Sequence, residues 1–209
     1  ISGKSYRGYR RFRFLFGRFF AGFTGVGAQT EPDAKRMVEL GCNNEVVQVF
    51  GSCKFDGTGI SRDRLLDVPN LLQSLGVPVG APLLVGGSTH NGEEEILARL
   101  AKRLRKKHSD LFLVLVPRHA ERGREVGEAL AGLGVRFVYR NEIGGNTPPR
   151  ERGSLDCLLV NTTGELKYFY EEAAVVFIGK SLTAQGGQNP IEPAGLAKAI
   201  VLGPHMGNF

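Results

Sequence analysis

The sequence has few cysteines, no long apolar run and none of the short motifs that mark the commonest metal and nucleotide sites. Its three cysteines are scattered, odd in number and without a CxxC pair, which argues against a disulfide framework or a zinc site. No run approaches the roughly 18 apolar residues of a membrane span. GxxxxGK[ST], HExxH and Asp-x-Asp motifs are also absent, so a P-loop NTPase and a metal-dependent transfer from a nucleotide diphosphate lack their expected residues.

Acidic residues are missing from the first 20 positions, which hold Lys4 and five arginines. The net charge of the whole chain is +6, so the positive balance belongs entirely to this segment. Seven aromatic residues alternate with the basic ones. Three interpretations are open: peripheral contact with an anionic membrane surface, an ordinary helix with core aromatics and solvated arginines, or nucleic-acid binding. Nothing else in the chain supports the last, so we expect no nucleic-acid partner.

From position 81 onward, short apolar runs alternate with amphipathic segments. Strands are predicted at 83–85, 111–116, 135–139, 157–160, 174–178 and 200–202, and helices at 91–107, 121–133, 164–172 and 190–198. In the first of these helices, Ile96, Leu97, Leu100 and Leu104 are expected to share one face. This alternation predicts an α/β domain, with a Rossmann-like parallel sheet covered on both faces.

The first part of the chain is predicted to be a separate piece. Helices are expected over 4–20 and 31–40, the second capped by Thr30 with Asp33 and stopped by Gly41. Strands are expected at 26–29 and 46–50, followed by a turn-rich stretch at 51–62, a short helix near 64–75 and a Gly/Pro-rich linker at 76–81. Because the chain begins without methionine and stops just after a strand, we expect it to be a fragment.

Ligands of parallel α/β sheets bind at the carboxyl ends of the strands, and five junctions of that kind stand out. At 86–95 (GGSTHNGEEE), Gly86 and Gly87 permit close backbone approach, and Ser88 or Thr89 can offer a hydroxyl to a phosphate or carboxylate. The alternative is a purely structural role, in which the three glutamates at 93–95 favour the helix dipole. Those glutamates would repel an anion unless they point aside.

The junction at 117–122 (PRHAER) follows the most hydrophobic strand. Arg118 suits bidentate contact with a phosphate or carboxylate, but it can equally be a solvated loop residue. His119 can serve as a hydrogen-bond donor, although no partner places it in a known catalytic set.

The remaining junctions carry capping residues. At 161–166 (NTTGEL), Thr162 or Thr163 is expected to cap a helix, whose free N–H groups would face outward. At 185–193 (QGGQNPIEP), Asn189 is the expected N-cap and Pro190 the first helical residue. Glu192 either closes a capping box with Asn189 or accepts hydrogen bonds from ribose hydroxyls. After the last strand, His205 and Asn208 are available to a ligand.

Taken together and in order, GSTHNGEE, LVPRHAERG, NTTGEL, FIGKSL, GGQNPIEPA and GPHMGNF resemble the 3-deoxy-D-manno-octulosonic acid (Kdo) transferases of lipid A assembly. Upstream, AQTEPDA at 28–34 and GSCKFD at 51–56 also fit. The resemblance implies a GT-B arrangement of two Rossmann-like lobes. Residues 1–58 would be the tail of the N-terminal, acceptor-side lobe, 59–80 a connector, and 81–209 a truncated CMP-sugar-binding lobe.

The resemblance also implies which residues contact the donor. Those expected to bind the CMP sugar are Ser88, Thr89, Pro117, Arg118, His119, Thr162, Thr163, Gly164, Asn189, Pro190, Ile191 and Glu192. Three positions depart from the family pattern: Asn161 stands where an aspartate is expected, Lys180 where a glycine is usual, and Gln188 where a histidine is common. The last change puts any acid–base role at that position in doubt.

The activity that the resemblance implies is inverting transfer of Kdo from CMP-Kdo to the lipid A precursor. This step of lipopolysaccharide biosynthesis would take place at the cytoplasmic face of the inner membrane. No metal and no cofactor are expected. The family's acidic general base and membrane anchor lie outside these residues, so the fragment alone is expected to bind nucleotide weakly and to be inactive. The alternative is another GT-B enzyme that uses a uridine-diphosphate sugar, either a glycosyltransferase or an epimerase.

Overall fold

The computed structural model describes residues 1, 3–51, 66–144, 147–207 and 209. The chain divides into two compact units, Ile1–Gly57 and Thr58–Phe209. Most of the turn-rich stretch predicted at 51–62, and the start of the helix predicted near 64, lie outside the described residues. No helix in the described ranges combines the length and apolarity needed to cross a bilayer.

The first unit packs three helices beside a two-stranded parallel sheet. Its elements are α1 (Gly3–Arg11), α2 (Arg13–Ala21), β1 (Val26–Ala28), α3 (Glu31–Leu40) and β2 (Val47–Val49). The continuous helix predicted over 4–20 is wrong, because Phe12 leaves the helical region with φ −110° and ψ 31°. The cap predicted for α3 is confirmed: Thr30 Oγ1 accepts a hydrogen bond from the Asp33 N–H at 3.3 Å, and Gly41 follows the helix with φ 126°.

The aromatic residues of α1 and α2 divide between a core and a surface. Phe20, Leu40 and Cys42 form the buried centre of the first unit, and Tyr6, Phe16 and Phe23 pack against it. Phe14, by contrast, is 85% exposed and Phe19 64% exposed. The segment is therefore partly a core helix and partly an exposed aromatic face among basic side chains.

The second unit is built on a six-stranded sheet in which every neighbouring pair of strands is parallel. The strands are β3 (Leu83–Thr89), β4 (Phe112–Pro117), β5 (Phe137–Tyr139), β6 (Cys157–Leu159), β7 (Val175–Ile178) and β8 (Ala199–Val201), in the spatial order β5-β6-β4-β3-β7-β8. The helices between them are α5 (Glu93–Leu104), α6 (Gly123–Gly132), α7 (Leu166–Glu172) and α8 (Ile191–Gly195). The predicted parallel α/β fold is confirmed.

Both faces of this sheet are covered, as the apolar strands require. Because successive strand residues point to opposite faces, Val85 and Val114 contribute to one core cluster, and Leu84 and Leu113 to the other. Helix α4 (Val68–Ser74) covers the first face with α7, while α5 and α6 cover the second. Val68, Leu72, Leu75 and Val77 are buried in that first cluster, so the described part of the predicted connector packs on the sheet.

Helix α5 presents a different face from the one predicted. Its buried residues are Glu93, Glu94, Leu97, Ala98 and Ala101, whereas Ile96 and Leu100 are exposed. The small side chains of Ala98 and Ala101 lie on the face that packs against the strands, and two of the larger apolar residues face solvent. The two buried glutamates place carboxylates at the carboxyl edge of the sheet.

Candidate functional site

The strand order creates a crevice between the loops that follow β3 and β7. The chain leaves β3 toward β4 on one side, and it leaves β7 toward β8 on the other. Where neighbouring parallel strands send their connections in opposite directions, their loops diverge and leave room for a ligand at the carboxyl edge. The 86–95 and 179–190 segments, which hold four of the twelve predicted site residues, meet at this point.

The two glycines at the end of β3 make room for the protein's own side chains. A Cβ on Gly86 would lie 2.6 Å from Leu97 Cδ1, and a Cβ on Gly87 would lie 2.0 Å from the Tyr170 hydroxyl. The space that the two missing Cβ atoms leave is therefore occupied by Leu97 and Tyr170, and the predicted close approach of a ligand to this backbone stays a prediction. The two glycines permit α5 and α7 to pack tightly on the opposite faces of β3.

Ser88 and Thr89 follow these glycines and are used differently. Ser88 has φ 50°, and its half-buried hydroxyl has no hydrogen-bond partner within the described residues. Thr89 is fully buried, and its hydroxyl donates to Glu94 Oε1 at 2.8 Å. The same carboxylate oxygen accepts from Arg122 Nη1 at 2.8 Å. A ligand contact by the Thr89 hydroxyl would require this buried bond to break, whereas Ser88 is free to make one.

The backbone of the loop after β7 shows why the family pattern has a glycine at position 180. Lys180 has φ 58°, a left-handed conformation that glycine adopts without strain and other residues adopt at a cost. Glycine is thus the residue that this backbone favours, and the chain carries a lysine there instead. The loop closes on itself through the Gly187 N–H, which donates to the Lys180 carbonyl at 3.0 Å.

A side-chain contact bridges the two loops of the crevice. The ring Nε2 of His90 lies 3.2 Å from Nε2 of Gln188. Since an amide nitrogen only donates, His90 Nε2 accepts this bond and the ring proton belongs on Nδ1. Burial lowers the pKa of His90, partly offset by the nearby Glu93 carboxylate, which favours the same neutral ring. Sequence reasoning missed His90, although it lies inside the GSTHNGEE motif.

Arg118 is held in place by its backbone while its side chain stays free. Its N–H donates to the Thr89 carbonyl at 3.0 Å, so the residue sits beside the crevice, directly after the buried Pro117. The guanidinium is exposed and makes no hydrogen bond or ion pair with any described residue. His119 is also exposed, with Nδ1 3.7 Å from Glu121 Oε1. Arg118 is therefore available to an anion.

The loops after β5 and β6 form a second polar group on the same edge. Thr162 Oγ1 donates to Glu165 Oε2 at 2.6 Å, and Glu165 Oε1 accepts from Arg140 Nη2 at 3.0 Å. The cap predicted for Thr162 or Thr163 is wrong, because α7 begins only at Leu166 and has no side-chain cap. Thr163 and Gly164 remain exposed in the turn before it, with Gly164 at φ 82°. Asn161 accepts from the Asn141 N–H at 3.1 Å.

At the start of α8, the capping arrangement is one residue away from the prediction. Pro190 precedes the first helical residue, Ile191, and Asn189 Oδ1 accepts from the Ile191 N–H at 3.1 Å. The Glu192 carboxylate is exposed and accepts no hydrogen bond from a described residue, so the capping box is not formed. Burial, and then the charge of Glu192, raise the pKa of the Tyr170 hydroxyl. Glu192 therefore lies near Tyr170, with its lone pairs free.

The last junction supports the loop after β7. The Gly186 N–H donates to the His205 carbonyl at 3.1 Å, and the His205 N–H donates to the Ser181 carbonyl at 3.0 Å. Asn208, the other residue singled out there, lies outside the described residues. Two cavities of the second unit, of about 290 and 330 Å³, lie at the opposite edge beside the first residues of β3 and β4. The polar groups that converge are at the carboxyl edge, and we place the candidate site there.

The chain is similar to known glycosyltransferases. Its residues 1–57 match the family described as 3-deoxy-D-manno-octulosonic-acid transferase (kdotransferase). The whole chain is 31% identical to the 3-deoxy-D-manno-octulosonic acid transferase of Haemophilus influenzae and covers 47% of that protein. Over 196 residues, or 90% of the chain, it is 30% identical to the transferase of the same name from Bordetella pertussis, covering 42% of it. The chain thus spans about half the length of these relatives.

One solved structure is similar in both sequence and fold. It is the C-terminal CMP-Kdo binding domain of WaaA from Acinetobacter baumannii, with a TM-score of 0.58 and 29% identity over 68% of this chain and 70% of that one. The sequence matches cover both units, and this structure shares the parallel α/β fold. The predicted resemblance to the Kdo transferase family is therefore confirmed along the whole chain.

Proposed function

We propose that the second unit binds the CMP part of CMP-Kdo at the carboxyl edge of its sheet. The observation that carries this proposal is the free guanidinium of Arg118. The main-chain N–H of Arg118 donates to the Thr89 carbonyl, and this bond keeps the residue beside the crevice. An arginine fork offers two parallel hydrogen bonds to a phosphate. The similar domain of A. baumannii WaaA, described as binding CMP-Kdo, supports the same ligand.

The ribose and base contacts would come from the other predicted residues. Glu192 accepts no hydrogen bond from a described residue, so its carboxylate can accept bonds from ribose hydroxyls. Ser88, Thr163 and the main chain around Gly164 offer further polar groups on the same edge. Glu192 follows the segment from Asn189 to Ile191 directly. The Asn189 side chain fixes that segment by accepting a hydrogen bond from the Ile191 N–H.

We propose that the whole protein transfers Kdo to the lipid A precursor with inversion and without a metal. The leaving group is CMP, whose phosphate is already stable as an anion, so fixed positive charge at the site suffices to favour its departure. Arg118 supplies that charge, and Lys180 adds to it. The acidic general base would lie outside these 209 residues, in agreement with the half-length coverage of the relatives, and this chain alone would then bind the nucleotide without turnover.

The acceptor and the place of reaction follow from the same proposal. A lipid A precursor is an anionic amphiphile, so the protein would work at the cytoplasmic face of the inner membrane. The exposed aromatic residues and unopposed arginines of the first 20 positions support peripheral contact with that surface. The alternative, an enzyme that uses a uridine-diphosphate sugar, predicts a preference for a different base and a second phosphate.

Calorimetric titration with CMP, UMP and AMP separates the two proposals. For a CMP-Kdo transferase we expect CMP to bind selectively, even if only at millimolar strength. A preference for UMP, extended by UDP, would favour the alternative. If none of the three binds, the proposed donor site is wrong for this chain, and the same titration on a longer form with its complete first lobe would show whether the site needs that lobe.

A further inference from the structure

A fully buried carboxylate joins the two loops of the crevice. Glu93, the first residue of α5, is 0% exposed. Its Oε2 accepts from the N–H groups of His90 and Lys180, both at 2.8 Å. Its Oε1 accepts from the N–H groups of Ser181 at 3.1 Å, Leu182 at 3.0 Å and Thr183 at 3.5 Å. One side chain thus satisfies main-chain donors on both sides of the topological switch point.

The bonds that Glu93 accepts from the 180–183 turn are long-range. Glu93 and the 180–183 turn are almost 90 residues apart in sequence, and the turn is not part of a helix or a strand. Without the carboxylate, the buried N–H of Ser181 and the part-buried N–H groups of His90 and Lys180 would lose their acceptor, which is costly in a folded protein. The conformation of the loop after β7 therefore depends on a residue that belongs to the loop after β3.

The groups fixed in this way face the proposed ligand site. Lys180 is held in its left-handed conformation with its N–H on Glu93. His90 is held by the same carboxylate oxygen, and its ring meets Gln188 one residue before Asn189. Arg122, from the loop after β4, donates to the Thr89 carbonyl at 3.4 Å and to the Glu94 carboxylate at 2.8 Å. Three loops that carry predicted donor contacts thus converge around Glu93.

We propose that Glu93 is a positioning residue of the donor site: its buried carboxylate joins the loops after β3 and β7, so that Ser88, His90, Gln188 and the segment leading to Glu192 are in place before the nucleotide binds. This inference rests on the proposed CMP site for its functional half. Its structural half, the joining of the loops, stands on the hydrogen bonds alone.

The test compares Glu93→Gln and Glu93→Ala with two controls in the same 209-residue chain. Glu95→Gln removes a half-exposed carboxylate from the same first turn of α5, which among the described residues pairs with Arg99 alone, and so controls for the helix dipole. Leu130→Ala removes a fully buried side chain of α6 from the core cluster between the helices and the sheet, and so controls for a general loss of stability. The measurements are amide hydrogen exchange, the ring nitrogen signals of His90, and CMP affinity by calorimetry.

For both Glu93 variants we expect faster exchange confined to residues 88–92 and 179–188, with the β4 and β6 amides still protected, and loss of the Nδ1–H tautomer signature of His90. The CMP dissociation constant should rise about tenfold or more, while Glu95→Gln and Leu130→Ala leave it within about twofold.

Unchanged exchange in the two loops would overturn the proposal, and so would a CMP affinity that falls equally in Leu130→Ala. If the unaltered chain does not bind CMP, the proposed function fails, and the exchange and His90 measurements still decide whether Glu93 joins the loops.

Discussion

At the scale of single residues, Arg118 is the side chain whose chemistry most directly matches an anionic ligand. It is exposed, its backbone is fixed on Thr89, and no described acid neutralises it. Most other arginines at this edge are committed, Arg122 to Glu94 and Arg140 to Glu165. The free guanidinium of Arg118 is what the proposed contact with a phosphate requires.

We expect Arg118→Lys to weaken CMP binding by about 1–2 kcal/mol although the charge is kept, because a planar fork is replaced by a point charge. Calorimetric titration measures the change. Arg124→Lys is the matched control, since Arg124 is an exposed arginine whose one ion pair with a described residue is to Glu128 on its own helix. Equal affinities for the two variants would remove Arg118 from the site.

Lys180 allows a second prediction at this scale, on stability. Its φ of 58° strains any residue with a Cβ, so Lys180→Gly relieves strain in the folded state. The same change raises the conformational entropy of the unfolded chain, which lowers stability. Lys106→Gly, at an exposed position without positive φ, has only the second effect. We therefore expect glycine to be better tolerated at 180 than at 106 by about 1 kcal/mol in the free energy of unfolding. Urea denaturation followed by far-UV circular dichroism tests this, and an equal loss at both positions would contradict it.

At the scale of elements, the contact between β3 and α7 depends on one missing Cβ. Because that Cβ on Gly87 would lie 2.0 Å from the Tyr170 hydroxyl and 2.7 Å from its Cζ, we expect Gly87→Ala to lower the free energy of unfolding by about 1–3 kcal/mol. Tyr170→Phe should recover part of this loss, measured as the coupling energy of a double-mutant cycle. Gly132→Ala, with nothing within 4 Å of the added carbon, is the control and should be neutral or stabilising. If Gly87→Ala is stable but binds CMP poorly, the space beside Gly87 belongs to the ligand instead.

The sequence predicted the elements better than their contacts. Strand positions followed from apolar runs bounded by glycine and proline, and α3 followed from Thr30 and Gly41, because these signals act within a few residues. The cap predicted for α7 failed because the Thr162 hydroxyl bonds Glu165 instead. At α8, Asn189 caps the Ile191 N–H, but the capping box is absent because Glu192 accepts no hydrogen bond from a described residue. Contacts such as Glu93 with Ser181 and Gly87 with Tyr170 join segments more than 80 residues apart, and no local pattern encodes them.

At the scale of the whole molecule, the charge is divided unequally along the chain. The first 20 residues hold six bases and no acid, while the remainder is balanced. In the first unit, this segment combines its charge with exposed aromatic side chains, and an apolar cavity of about 540 Å³ lies beside them, lined among others by Phe16, Phe19 and Phe20. Basic residues beside exposed aromatics favour an anionic lipid surface over water.

We expect the chain to bind phosphatidylcholine vesicles only when they contain phosphatidylglycerol, and to be released by salt, because each arginine near the surface adds about 1 kcal/mol of attraction that ions screen. Co-sedimentation measures the bound fraction.

Phe14→Ser should reduce the bound fraction severalfold, because an aromatic ring that enters the interface buries apolar area there. Val79→Ser, at an equally exposed apolar position of the second unit (84% against 85% for Phe14), should leave it unchanged. Equal losses in both variants, or equal binding to neutral vesicles, would mean that these aromatic residues are an ordinary packing face of the first lobe. The proposed CMP site at the carboxyl edge of the second unit rests on separate residues, so its titration is unaffected by either outcome.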